Sequence, residues 1–166
     1  MRRIAAIATL LVFVLATTPG PALADSPHFI GTATVGGVFS DGGLGITFKE
    51  AGLGSNVSIT YGFGTSTFIA DYGCINHGGN HPSATNKETV QGPITVTGTF
   101  SSGKNGTISQ TLKFTPPDPN TVLNCPGNQV AVLADIAYSG LQLEDTTNSV
   151  FATIDATSLS RTFFTF

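Results

Sequence analysis

Tryptophan is absent, methionine occurs only at position 1, and Asp, Glu, Lys and Arg together make up only 10% of the 166 residues. Seven basic residues stand against ten acidic ones. A nucleic-acid surface needs clustered positive charge to displace phosphate counterions, so that class of partner is excluded. There is no charge run, no internal repeat and no amphipathic helical pattern of useful length. No "GxSxG" elbow supplies a serine nucleophile, and no glycine-rich strand–helix turn cradles a phosphate. An acidic calcium cluster is missing as well. Beyond the N-terminus no apolar run is long enough for a membrane-spanning helix, so stable membrane insertion is not expected.

What is present begins with "MRRIAAIATLLVFVLATTPGPALA". Arg2 and Arg3 form a positive start, Ile4 to Ala16 an apolar stretch too short to span a bilayer, and Ala22-Leu23-Ala24 a small-x-small cleavage site. Residues 1–24 are therefore expected to be a secretory signal peptide, and residues 25–166 one mature domain with a real core. Loss of Arg2 and Arg3 leaves five basic residues against ten acidic, a net charge of −5. Cys74 and Cys125 are the two cysteines. In an oxidising compartment they are expected to pair, closing a loop of about fifty residues worth roughly 4 kcal/mol in the chain-entropy model. Neither has a cationic neighbour in sequence that would favour thiolate chemistry.

The mature chain alternates apolar and polar residues with period two, the mark of strands with one buried and one wet face. "LGITFKE" sets Leu44, Ile46 and Phe48 on one face, and "VSITYGF" sets Val57, Ile59, Tyr61 and Phe63. "PITVTGTF" sets Ile94, Val96 and Phe100 against Thr95, Thr97 and Thr99. "TISQTLKF" sets Ile108, Leu112 and Phe114 against Thr107, Ser109, Thr111 and Lys113. Asn105-Gly106 between the last two predicts a hairpin. Further strands are expected in "FIGTATV", "STFIADYGC", "QVAVLADIAYSG", "LQLED", "VFATID" and "LSRTFFTF". In the third of these, Val130, Val132, Ala134, Ile136 and Tyr138 share a face. Nine or ten short strands predict an all-β, antiparallel, immunoglobulin-like β-sandwich. The ending "RTFFTF" also fits the last strand of an outer-membrane barrel. Against that rival, aromatic girdles are not evident and a loop disulfide fits less well.

One stretch is unlike the rest. "CINHGGNHPSATNK" concentrates Asn76, His77, Asn80, His81 and Lys87 beside Cys74. Gly78-Gly79 and Pro82 make a helix improbable, so the i, i+4 spacing of the histidines does not by itself build a metal site. Only His28 and Asp71 offer themselves as further ligands, and no metal or other cofactor is expected. His77 is a conceivable general base, but no nucleophile or orienting acid accompanies it. Glu50, Asp71, Glu88, Asp135, Glu144, Asp145 and Asp155 are scattered, and Glu144 and Asp145 point to opposite faces of one strand. Tyr61, Tyr72 and Tyr138 read as half-buried core residues. Asn56 and Asn105 lie in N-x-S/T sequons.

The segments "FKEAGLG", "CINHGGNHPSATNKETVQGP", "GTFSSGKNGTIS" and "LNCPGNQ" together resemble a group of small secreted proteins of actinobacteria, with similar proteins in fungi. The resemblance implies secretion, a disulfide and a compact β domain, and it lends no catalytic residues. The expected role is therefore extracellular binding or structure. The recognition loop would be Asn76, His77, Asn80, His81 and Lys87, and the partner an extracellular glycan or protein. A small secreted hydrolase using His77 or His81, and a secreted inhibitor or effector, are the alternatives.

Overall fold

The computed structural model describes residues 26–76 and 86–165. Their regular structure is almost entirely strand: β1 (His28–Phe29), β2 (Thr34–Val38), β3 (Leu44–Ala51), β4 (Ser58–Asn76), β5 (Lys87–Ser101), β6 (Ile108–Phe114), β7 (Gln129–Asp145), β8 (Val150–Phe151) and β9 (Ser158–Thr162). A single turn of helix, α1 (Pro119–Val122), lies between β6 and β7. The strands form two antiparallel sheets. In the smaller, β3 is flanked by β1 and β2 on one side and by β6 on the other. In the larger, the order is β5-β4-β7, and β8 and β9 share the far side of β7.

The sheets face each other across an aromatic core. Phe63 of the larger sheet stacks on Phe114 of the smaller with ring centroids 4.9 Å apart, and Tyr61 meets Phe48 at 4.5 Å. Leu44, Ile46 and Phe48 point inward from β3, and Ile59, Tyr61 and Phe63 from β4. Each such side chain contributes roughly 1.5–3 kcal/mol by leaving water. The three tyrosines are buried completely rather than by half. One edge of the pair of sheets is stitched by the 153–155 segment. Ala33 donates to the Thr153 carbonyl, Asp155 donates to that of Ala33, and the Val35 amide donates to the Asp155 carboxylate.

Several sequence expectations change. "FIGTATV" is not one strand, because Gly31 takes a φ of 70° and separates β1 from β2. "VSITYGF" and "STFIADYGC" are instead one strand, β4, as "QVAVLADIAYSG" and "LQLED" are one strand, β7. Val57 lies just outside β4 and is exposed. In β7 the face changes midway. Asp71 pairs with Asp135 but Tyr72 pairs with Leu133, so Ala134 is an extra residue, and Val130 and Val132 turn outward. A one-residue bulge exchanges faces in this way.

The Asn105-Gly106 hairpin is also replaced. β5 pairs with β4, β6 pairs with β3, and the connection between them crosses from one sheet to the other. The 102–107 segment binds the β3–β4 turn instead, through Leu53 N–H to the Gly106 carbonyl and Asn56 N–H to that of Gly103. This brings the two sequon asparagines, both exposed, to the same end of the molecule. The outer-membrane barrel does not hold, because two sheets enclose an apolar interior where a barrel would present a closed ring with a polar lumen.

Candidate functional site: the disulfide end

The β4–β7 ladder runs from Tyr61–Asp145 to Asn76–Gln129. Its second half extends past the smaller sheet, and loops cover it there. Cys74 and Cys125 are joined, with Cα atoms 5.6 Å apart, tying the end of β4 to the loop before β7. Tyr72 donates to the Pro117 carbonyl at 2.9 Å, and burial pushes its hydroxyl pKa up to about 12. Tyr138 donates to the Gly42 carbonyl at 2.6 Å. Burial raises its pKa well above the usual range too, so both hydroxyls stay protonated donors. Gly42 must be glycine: its φ is 78°, and a Cβ there would collide with Leu133 Cδ2.

These fixed loops leave a cleft of about 660 Å³. Its walls are Pro116, Pro117, Leu133, Phe163 and Phe164, with Asp41 and Asp118 among the polar groups. Asp41 is paired with Lys113 at 2.7 Å, which holds its carboxyl below the ordinary value. Asp118 caps α1 by accepting from the Asn120 amide. The walls are thus mostly apolar, with few charges and those already engaged.

Of the predicted recognition loop, Asn76 ends β4 opposite Gln129, and Lys87 begins β5 opposite Gly73, both exposed. His77, Asn80 and His81 lie outside the described residues. The loop leaves the ladder two residues beyond Cys74, whose partner Ala131 lines the cleft, so cleft and loop base adjoin. His28 is no recruit for a metal here. It pairs with Ala51 at the opposite end of the sheets and contacts the Ser26 carbonyl. Asp71 faces outward and accepts from Thr89 at 2.6 Å. Among the described residues no group of three or more His, Cys, Asp or Glu side chains is arranged to hold a metal. No described helix is long and apolar enough to cross a membrane.

At the other end, the structure assembles a cluster that seemed scattered in sequence. Glu50 continues the inward face of β3 and has no accessible surface, and Asp145 does the same on β7. Tyr61, the ladder partner of Asp145, completes the group. Asp145 accepts from the backbone amides of Thr147 and Asn148 and from the Asn148 side chain. Among the described residues, neither Glu50 oxygen nor the Tyr61 hydroxyl has a partner in hydrogen-bond geometry. Burial pushes the Glu50 pKa from 4.5 up to about 7; the nearby Tyr61 hydroxyl opposes that rise, and the Asp145 carboxylate adds to it. Two neighbouring carboxyls suggest glycoside chemistry, but an acid without accessible surface cannot meet a substrate.

Comparison with protein-family models, with curated proteins and with solved structures finds no match.

Proposed function

We propose that the chain is a secreted extracellular binding protein, an immunoglobulin-like sandwich of nine or ten strands that takes a glycan or protein at its disulfide-anchored end. The resemblance to small secreted actinobacterial and fungal proteins belongs to the same proposal. Its main support is the cleft, whose volume of about 660 Å³ falls within the roughly 300–1,000 Å³ usual for ligand sites. A disulfide and two tyrosine hydrogen bonds hold its walls in place before any ligand arrives. Walls ordered in advance reduce the entropy lost on binding. The apolar lining provides contact area, with the Ser40 and Thr115 hydroxyls among its polar groups.

The test is a thermal-shift screen of protein recovered from culture medium against extracellular glycans and proteins. A ligand at a hundred times its Kd adds about 2.7 kcal/mol of stability. Thr115 lines the cleft yet is exposed, so Thr115→Trp obstructs it without disturbing the core. Binding is expected to disappear in that variant. A ligand that binds Thr115→Trp and wild type equally, or a screen without any shift, would overturn the proposal.

A further inference from the structure

The outward face of the larger sheet carries a second concavity, independent of the cleft. Gly62 and Gly64 point outward from β4; the space over Gly62 is open, and the Thr95 hydroxyl leans over Gly64. Register places Thr97 and Glu144 on either side of Gly62, and Thr95 and Gln142 on either side of Gly64. Phe151 of β8 lies opposite Glu144 and prolongs that row. The outcome is a trough of about 280 Å³. Thr146 stands at one end, its hydroxyl bonded to the Thr60 carbonyl, and Ser66 and Gly140 stand at the other.

The chemistry of the lining is selective. Two threonine pairs outside the trough satisfy each other, Thr60 with Thr99 and Thr47 with Thr111, each at 2.9 Å. Inside it, the side chains of Thr95, Thr97, Gln142 and Glu144 make no hydrogen bond with any described residue. They offer hydroxyl, amide and carboxylate groups, which match donors and acceptors that alternate around a sugar ring. Phe151 is 62% exposed and brings an apolar ring to the rim. Glu144 is the one charged residue among the lining, which disfavours polyanions.

Dimensions narrow the occupant further. With strands about 4.8 Å apart, the β5 and β7 backbones stand roughly 10 Å from each other across β4, and the open part between their side chains lies over Gly62. That gap admits one pyranose ring and is too narrow for a helix with its side chains. An extended peptide finds no edge here, because β4 is already paired on both sides. We infer that this trough binds an uncharged glycan. One pyranose chain lies along β4, with Phe151 against a sugar face and Thr95, Thr97, Gln142 and Glu144 on its hydroxyls.

The experiment is affinity electrophoresis of the intact protein in gels containing soluble β-glucan, xylan or galactomannan, with heparin as the anionic comparison. At least one uncharged polymer is expected to retard the wild type. Phe151→Ala, at an exposed position, is expected to weaken binding about tenfold. Gly62→Val fills the floor and is expected to abolish it; a Cβ at Gly62 meets nothing nearer than Thr146 at 3.5 Å, so a side chain has room to start. Thr115→Trp leaves this binding unchanged, which separates it from the cleft. No retardation by any uncharged polymer, retardation that survives both trough variants, or a preference for heparin would each overturn the inference. Should Gly62→Val not fold, Phe151→Ala decides.

Discussion

Replacing Glu50 with Gln should remove most of the dependence of stability on pH between 5 and 8. In the unfolded chain Glu50 ionises near 4.5, whereas in the fold it keeps its proton up to about 7. Between those values the native state binds more protons than the unfolded state, so stability falls as pH rises. The contribution is complete below 4.5 and is lost through 7. At 1.36 kcal/mol per pH unit, the displacement is worth about 3 kcal/mol. Asp41 has the opposite sign, since its lowered pKa stabilises above the ordinary value and is lost in acid, below this window. With about 2.1 cal/mol/K per residue of unfolding entropy, 3 kcal/mol corresponds to about 10 °C in Tm for a domain of this size. Urea denaturation at half-unit steps of pH, with the disulfide intact, measures the slope. Wild type should lose about 2.5 kcal/mol from pH 5 to 8, the rest having gone between about 4 and 5. Glu50→Gln should be nearly flat over the window and the more stable of the two at pH 8. A wild type that is flat or gains stability with pH, or a Glu50→Gln that keeps the slope, would refute the assignment of a buried, proton-holding carboxyl.

Two further outcomes are expected. Replacing Cys74 and Cys125 together by Ser should cost roughly 4 kcal/mol, the loop-closure entropy of the 51-residue separation. Urea midpoints of the variant and of wild type, without reductant, measure it. Tyr138→Phe leaves the Gly42 carbonyl without its buried donor and should cost about 1–3 kcal/mol. It should also loosen the 39–43 turn, which faster hydrogen exchange at the Gly42 and Gly43 amides would report.

The inward faces were legible wherever alternation was unbroken. Leu44, Ile46 and Phe48 follow from parity alone, as do Val96 and Phe100 against Thr95, Thr97 and Thr99. The same parity also reaches Glu50 from Phe48 and Asp145 from Leu143, so the buried acids could have been found by extending the pattern across a charged residue. What parity cannot show is where it resets. The extra residue at Ala134 sends Val130 and Val132 outward, and no composition marks it. Nor does a turn dipeptide state which strands it joins. Asn105-Gly106 has hairpin chemistry, yet its segment bonds to the β3–β4 turn and delivers β6 to the other sheet. The trough depends on register between β5, β4 and β7, which places glycines from one segment between polar residues from two others. Local sequence holds no record of that alignment.

Unequal sheet length explains why so many special residues gather at one end. The β4–β7 ladder spans sixteen residues of β4, from Tyr61 to Asn76, or about 50 Å at 3.3 Å per residue. β3 has eight residues, or about 26 Å. Half of the larger sheet would therefore show Phe68, Ala70, Tyr72 and Cys74 to water, and instead these are buried. Their cover comes from loops, which cannot pair edge to edge as strands do and need other fastenings. The disulfide, the Tyr72 and Tyr138 hydroxyls, the closely packed Gly42 and the proline-rich 116–119 stretch are those fastenings. Loops pinned at discrete points do not fill space as evenly as a sheet, and the gap between Leu133 and the terminal phenylalanines is the cleft. The trough has a different origin: Gly62 and Gly64 sit behind Tyr61 and Phe63, where the smaller sheet covers the inner face, and what leaves them open is that no described element packs on the outer face of the sheet.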